Sequence, residues 1–98
     1  MVVRIADHLE GCDTNVQGAV VRDMIMSSFS QNDAISLDFS DVHNVTSSFV
    51  NTAFIEVLEH FGMPMIKSHL KITGANRQVA KLIGDRMRIE AAKLSIAA

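Results

Sequence analysis

Residues 35–58, ISLDFSDVHNVTSSFVNTAFIEVL, constrain the fold more than any other stretch of the chain. Ile35, Leu37 and Phe39 alternate with polar residues, the period of a strand that buries one face. From Val50 the period changes. Val50, Ala53, Phe54, Val57, Leu58 and Phe61 fall at i, i+3, i+4, i+7, i+8 and i+11, a continuous apolar stripe on one side of a helix. Asn51, Thr52, Glu56, Glu59 and His60 take the other side. Residues 40–48 make the polar turn between strand and helix. Thr46, Ser47 and Ser48 fall where the helix opens, and hydroxyls there accept hydrogen bonds from unpaired backbone N–H groups at a partly positive helix end. Capping needs only one of the three, which leaves the others to solvent or to a partner.

The flanking sequence supplies more strands and helices in alternation. Val2, Val3 and Ile5 predict a short strand, and residues 8–13 a loop. Thr14-x-x-Gln17 matches a capping box, opening a helix with Val16, Ala19, Val20, Met24, Ile25 and Phe29 as its apolar positions. Gly18 inside that helix either allows close packing or marks a later start. Residues 27–33, SSFSQND, read as a polar stop. After the central helix, Gly62 is placed to end it and Pro64 to prevent its continuation. Leu70 and Ile72 predict a strand closed by Gly74. Asn76 caps a further helix, Gly84-Asp85 marks a break or bend in it, and residues 89–96 can form one more short helix. The order β-α-β-α-β-α implies a single α/β domain: a small, mostly parallel sheet of three to four strands covered by helices. In such sheets ligands and partners meet the loops beyond the carboxyl ends of the strands. Here that rule gathers residues 38–48, 8–14 and 74–76 on one rim.

Composition narrows the class. The 98 residues hold 48% hydrophobic and 20% charged side chains and one cysteine, so no internal disulfide forms. With no long apolar run and no basic start followed by an apolar segment, a cytoplasmic protein without signal peptide or membrane span is expected. The formal charge of −2 hides an asymmetry. Residues 1–60 carry nine acids against Arg4 and Arg22, a net −7, whereas residues 61–98 carry seven bases against Asp85 and Glu90, a net +5. The bases are dispersed and lack interleaved aromatics, which fits a solvated helix face better than nucleic-acid binding.

Residues 37–58 resemble the signature of the STAS domain, the fold of bacterial anti-sigma-factor antagonists. Leu37-Asp38-Phe39-Ser40-Asp41-Val42 follows that family's strand and turn, with Asp41 where Gly is usual. Val45 takes its apolar position. Thr46-Ser47-Ser48-Phe49-Val50 lies over its Asp-Ser-Ser-Gly-Leu, with Thr46 for the acid and Phe49 for the glycine. The Ser-Ser-Phe variant and the order of elements are similar to the STAS-like family of unknown function, small bacterial proteins thought to act beside a histidine-kinase-type ATPase. The resemblance implies a STAS-like fold and a non-enzymatic, protein-binding role in partner switching, with a histidine-kinase-type ATPase or anti-sigma factor as partner. By register, Ser47 is the first candidate for phosphorylation and Ser48 the second. The implied contact face comprises Asp41, His43, Thr46, Ser47, Ser48, Phe49, Asn51, Thr52, Glu56 and Glu59. Phe49 is either a core residue or a docking anchor, with the core the favoured reading.

Other chemistry finds less support. Cys12 follows a strand, but the Cys-x5-Arg phosphate cradle requires Arg at position 18, where Gly18 stands. His8, His43, His60 and His69 lack metal-ligand spacing, so neither metal nor cofactor is expected. No Gly-x-Ser-x-Gly elbow and no nucleotide-binding motif occurs. The alternatives are an oligomeric adaptor without phosphorylation and, further off, a minimal phosphoryl carrier or hydrolase using Ser47 or Cys12.

Overall fold

Three parallel strands form the sheet in the order β1-β2-β3: β1 Val2–Arg4, β2 Ile35–Asp38 and β3 Leu70–Thr73. The computed structural model describes the backbone of residues 1–97 and the side chains of residues 1–94. Val3 pairs with Leu37 and Leu37 with Ile72, so apolar side chains line up across one face. The other face presents Val2, Arg4, Ser36, Asp38, Lys71 and Thr73, none of them buried. Helices therefore cover the sheet on one side only, unlike most parallel sheets, which are covered on both.

The first helix, α1 (Asn15–Ser30), opens on the expected capping box: Thr14 Oγ1 accepts from Gln17 N–H, and the Gln17 side chain accepts from the Thr14 N–H. It runs through the predicted polar stop. Phe29 belongs to the core, and the chain turns only at Asn32, whose φ of 59° is left-handed. The inward positions are Gly18, Val21, Ile25, Ser28 and Phe29. Val16 and Val20, expected on the buried stripe, are instead 73% and 39% exposed. Gly18 has the packing role. A Cβ there would sit 2.8 Å from the Phe49 carbonyl oxygen and 3.0 Å from Thr52 Cβ, so its absence lets α1 cross the central helix at backbone contact.

The central helix, α2 (residues 47–61), lies between α1 and the last helix. It is α-helical over Ser47–Val50, makes a π turn over Asn51–Ile55 and is α-helical again over Glu56–Phe61. The Glu56 N–H donates to the Asn51 carbonyl, five residues back. This extra residue in the turn brings Ala53, Phe54 and Ile55 to the buried side in succession, a wider apolar face than the 3.6-residue period predicts. Gly62, at φ 86°, ends α2 as expected. Pro64 lies beyond the end of α2, as expected, and sits in the first turn of a new helix that was not expected, α3 (Met63–His69), where a missing N–H costs nothing. The last helix, α4 (Arg77–Ala97), is one continuous helix, so of the expected break or bend at Gly84-Asp85 the break is corrected, as is the separate helix after it. One interior glycine costs about 1 kcal/mol relative to alanine. Asp85 is held by Lys81 and Arg88, and Glu90 by Arg86 and Lys93, all at helical spacing.

Candidate functional site

The three loops beyond the strand ends do meet, through named hydrogen bonds. Thr46 N–H donates to the Cys12 carbonyl at 3.1 Å, and Thr46 Oγ1 donates to the Asp13 carbonyl at 2.8 Å. Asn76 Nδ2 donates to the His43 carbonyl at 3.0 Å, while Asn76 Oδ1 caps α4 by accepting from Val79 N–H at 2.8 Å. Gln78 Nε2 reaches Asn44 Oδ1 at 2.8 Å. Residues 43–46 are thus stitched to the first loop on one side and to the start of α4 on the other.

Beneath this rim the Asp38 carboxylate accepts from Ser40 twice, from its hydroxyl at 2.6 Å and its N–H at 2.9 Å. These bonds, with the charge of Arg4 assisting and partial desolvation opposing, hold the Asp38 carboxyl below its ordinary value of 3.8. Folding therefore favours ionised Asp38. That contribution is complete above the ordinary value and is lost as pH falls through the lower folded one. In a Ser40→Ala protein the Asp38 titration midpoint, followed by carboxyl NMR, should move up toward the ordinary value. Arg4 reaches over the open sheet face to pair with Asp7 and with Asp41, whose φ is 68°.

At the mouth of α2 the three hydroxyls separate. Thr46 is the N-cap, accepting from Phe49 N–H at 3.3 Å, and its own proton is committed to Asp13. Threonine thus fills, as a cap, the position where the motif it resembles has an acid. Ser47 and Ser48 are exposed, and neither hydroxyl is engaged in a hydrogen bond among the described residues. Phe49 and Val50 are both 0% exposed and anchor the turn from below, with the Phe49 ring 6.4 Å from that of Phe54. Phe49 is a core residue, which removes it from the predicted contact face.

The rest of that face divides. His43 and Asp41 are exposed and line a cleft of about 220 Å³ against the first loop. Asn51 accepts from Arg86 of α4 at 3.0 Å. Thr52 and Glu56 border a shallow groove of about 260 Å³ between α1 and α2, with Val16 and Ala19 opposite, and Glu56 is tied to Arg22 at 2.8 Å. Glu59 is exposed but lies about 18 Å along the helix from Ser47, given 1.5 Å per residue, and does not join the corner. Val16 and Val20 are the surface that the sequence pattern hid, beside Arg22, which the pattern already turns outward. The signal that places Val16 and Val20 outside was Gly18 itself: once it marks the contact side, Val21, Ile25 and Phe29 continue that stripe.

Cys12 is only 1% exposed, and burial, with the nearby Asp13 charge, pushes its thiol up to about 11. Such a thiol is not a nucleophile at neutral pH. Alkylation of Cys12 at pH 8 is expected to proceed only as fast as the protein unfolds, and rapid labelling of the native protein would contradict this. No cluster of three metal-ligating side chains exists among the described residues, and no described helix is long and apolar enough to cross a membrane.

These features define an α/β domain with a capped, hydroxyl-bearing corner at the carboxyl end of its sheet. The chain belongs to the family described as STAS-like domain of unknown function (DUF4325), whose model matches residues 17–80, about two thirds of its length. The match runs from the first turn of α1 to the first turn of α4 and so contains the Thr46–Ser48 turn, though not the first loop that Thr46 is bonded to. No curated protein and no solved structure matches the chain.

Proposed function

We propose that the domain is a non-enzymatic regulatory module that docks on a protein partner through the Ser47–Ser48 corner and is switched by phosphorylation there. One observation carries the reading: Ser47 and Ser48 stand exposed and unengaged on the first turn of α2, while Thr46 and Phe49 on either side are locked in place. A rigid turn presenting two unpaired hydroxyls suits both a docking surface and a kinase substrate. The contact surface extends to Asp41 and His43 on one flank, and to Val16, Thr52 and Glu56 in the groove on the other.

The switch is electrostatic and steric. A phosphoryl group on Ser47 adds about −1.5 to −2 charges and three acceptor oxygens. The helix end tolerates it within the domain, because its partial positive charge favours an anion. A partner shaped to the bare hydroxyls meets bulk and buried charge instead, and dissociates. The resemblance of the turn to anti-sigma-factor antagonists makes a histidine-kinase-type ATPase the partner of choice, acting as both kinase and target, in a bacterial cytoplasm. Calorimetric titration of a candidate ATPase tests this. Ser47→Asp is expected to weaken binding by roughly tenfold or more, a cost of about 1.4 kcal/mol, whereas Ser47→Ala leaves it unchanged. Equal affinity for the wild type and both variants would leave an adaptor without a switch.

A further inference from the structure

We propose that the free edge of β3, with the groove beside it, takes up an extended segment of a partner protein that alternates apolar and acidic residues, as a fourth strand of the sheet. This site is separate from the Ser47 corner and does not depend on its reading.

The backbone supplies the first argument. Phe39 N–H donates to the Thr73 carbonyl at 2.8 Å, so the main-chain groups of Thr73 face β2. Along a strand these groups alternate in direction, which turns those of Ile72 and Leu70 away from β2, toward the edge. The Leu70 N–H is taken by the Ile66 carbonyl at the end of α3. The Leu70 carbonyl and both main-chain groups of Ile72 have no backbone partner among the described residues.

The side chains of these same two residues point into an apolar groove of about 540 Å³, walled by Met63 and Ile66 of α3 and by Gly84, Met87 and Ala91 of α4. On β2 the inward residues Ile35 and Leu37 are sealed at 1% and 0% exposure, whereas Leu70 and Ile72 on β3 remain half-buried. The core closes over β2 and stands open beside β3. Gly84 keeps that opening deep. It sits inside a helix, its φ is not positive, and a Cβ there would meet no atom within 4 Å, so neither backbone conformation nor internal packing accounts for it. Met63 and Met87 are side chains that adapt to an incoming surface. A strand laid on this edge would pair with Ile72 and place alternate side chains over Gly84 and between the methionines. The hollow at the amino ends of β1 and β2 is polar by contrast, lined by Met1, Ser27, Ser28, Gln31, Asp33 and Ala34.

Charge selects the occupant. Lys67 and Arg88 stand at the groove and Lys71 on the adjacent strand face, while the nearby carboxylate, Asp85, is already shared by Lys81 and Arg88. An acidic strand is complemented there. Two copies of this chain joined edge to edge would set Lys67 and Lys71 against their counterparts, which disfavours self-pairing.

The probe is a fluorescein-labelled octapeptide of alternating valine and glutamate, titrated into the full chain by anisotropy and by amide NMR. Saturable binding is expected, with shifts confined to β3 and the middle of α4. Exchanging glutamate for lysine in the peptide, or Gly84→Leu in the protein, should each weaken binding by roughly tenfold or more, the Gly84→Leu protein melting no lower than wild type. N-methylating alternate residues on the edge that pairs with β3 should abolish binding. The proposal is overturned by no saturable binding, by shifts at other elements, by equal binding of the N-methylated peptide, or by self-association that the peptide does not compete.

Discussion

A Phe54→Ala protein is expected to lose about 3–5 kcal/mol of stability, the range for truncating a buried aromatic ring. Phe54 is completely buried in the π turn of α2, and its ring lies 6.4 Å from those of both Phe39 and Phe49. It therefore joins the end of β2, the start of α2 and the sheet in one contact. Domains of this size hold a total stability of about 5–15 kcal/mol, so the loss removes a large share of it. The melting temperature should fall by at least roughly 12 °C, given about 4–8 °C per kcal/mol at this length. A fall of only a few degrees would mean that the aromatic cluster does not carry the corner.

Gly74→Val is the second large effect, and it strikes the rim directly. Gly74 adopts φ 67°, where a β-branched residue is strained, and a Cβ would sit 2.4 Å from Asp38 Oδ1, 2.5 Å from Ser40 Oγ and 2.9 Å from the Ser40 nitrogen. Strain and overpacking each cost about 1–3 kcal/mol, so a loss of about 2–6 kcal/mol is expected in chemical denaturation. The displaced atoms are the donors and acceptor of the Asp38–Ser40 pair, and the Ser40 amide should lose its protection against hydrogen exchange. A variant of wild-type stability with Ser40 still protected would contradict the close approach of the β3 loop to the β2 loop.

Much of this architecture was legible in the chain because local rules and packing agree. The alternation of Ile35, Leu37 and Phe39, the Thr14–Gln17 box, the stripe from Val50 to Phe61, the stop at Gly62 and the Asn76 cap all appear in the structure where the pattern puts them. The grouping of the three loops followed from parallel topology alone. The failures have physical causes. The π turn adds a residue to α2 without any compositional mark, so Ile55 joined the core unannounced. Pro64 marks the end of α2 but does not argue against a new helix, because proline is at ease in a first turn, and so α3 is concealed. One glycine at position 84 does not break a helix when ion pairs support the turns around it. Val16 and Val20 read as core because the apolar positions of a two-sided helix do not by themselves declare its phase; only Gly18 does, once it is taken as the contact point. The division of labour among Thr46, Ser47 and Ser48 needed coordinates, since each residue type makes an equally good cap.

The domain's own chemistry makes the Ser47–Ser48 corner the place to test the account. The full chain, incubated with ATP and a candidate histidine-kinase-type ATPase, can be digested and its phosphate located by tandem mass spectrometry, and the phosphorylated form then titrated against the same ATPase without nucleotide. Phosphate on Ser47 or Ser48, with at least roughly tenfold loss of affinity, is the predicted result. Phosphate confined to other residues, or a modified corner that binds as tightly as the bare one, would contradict it.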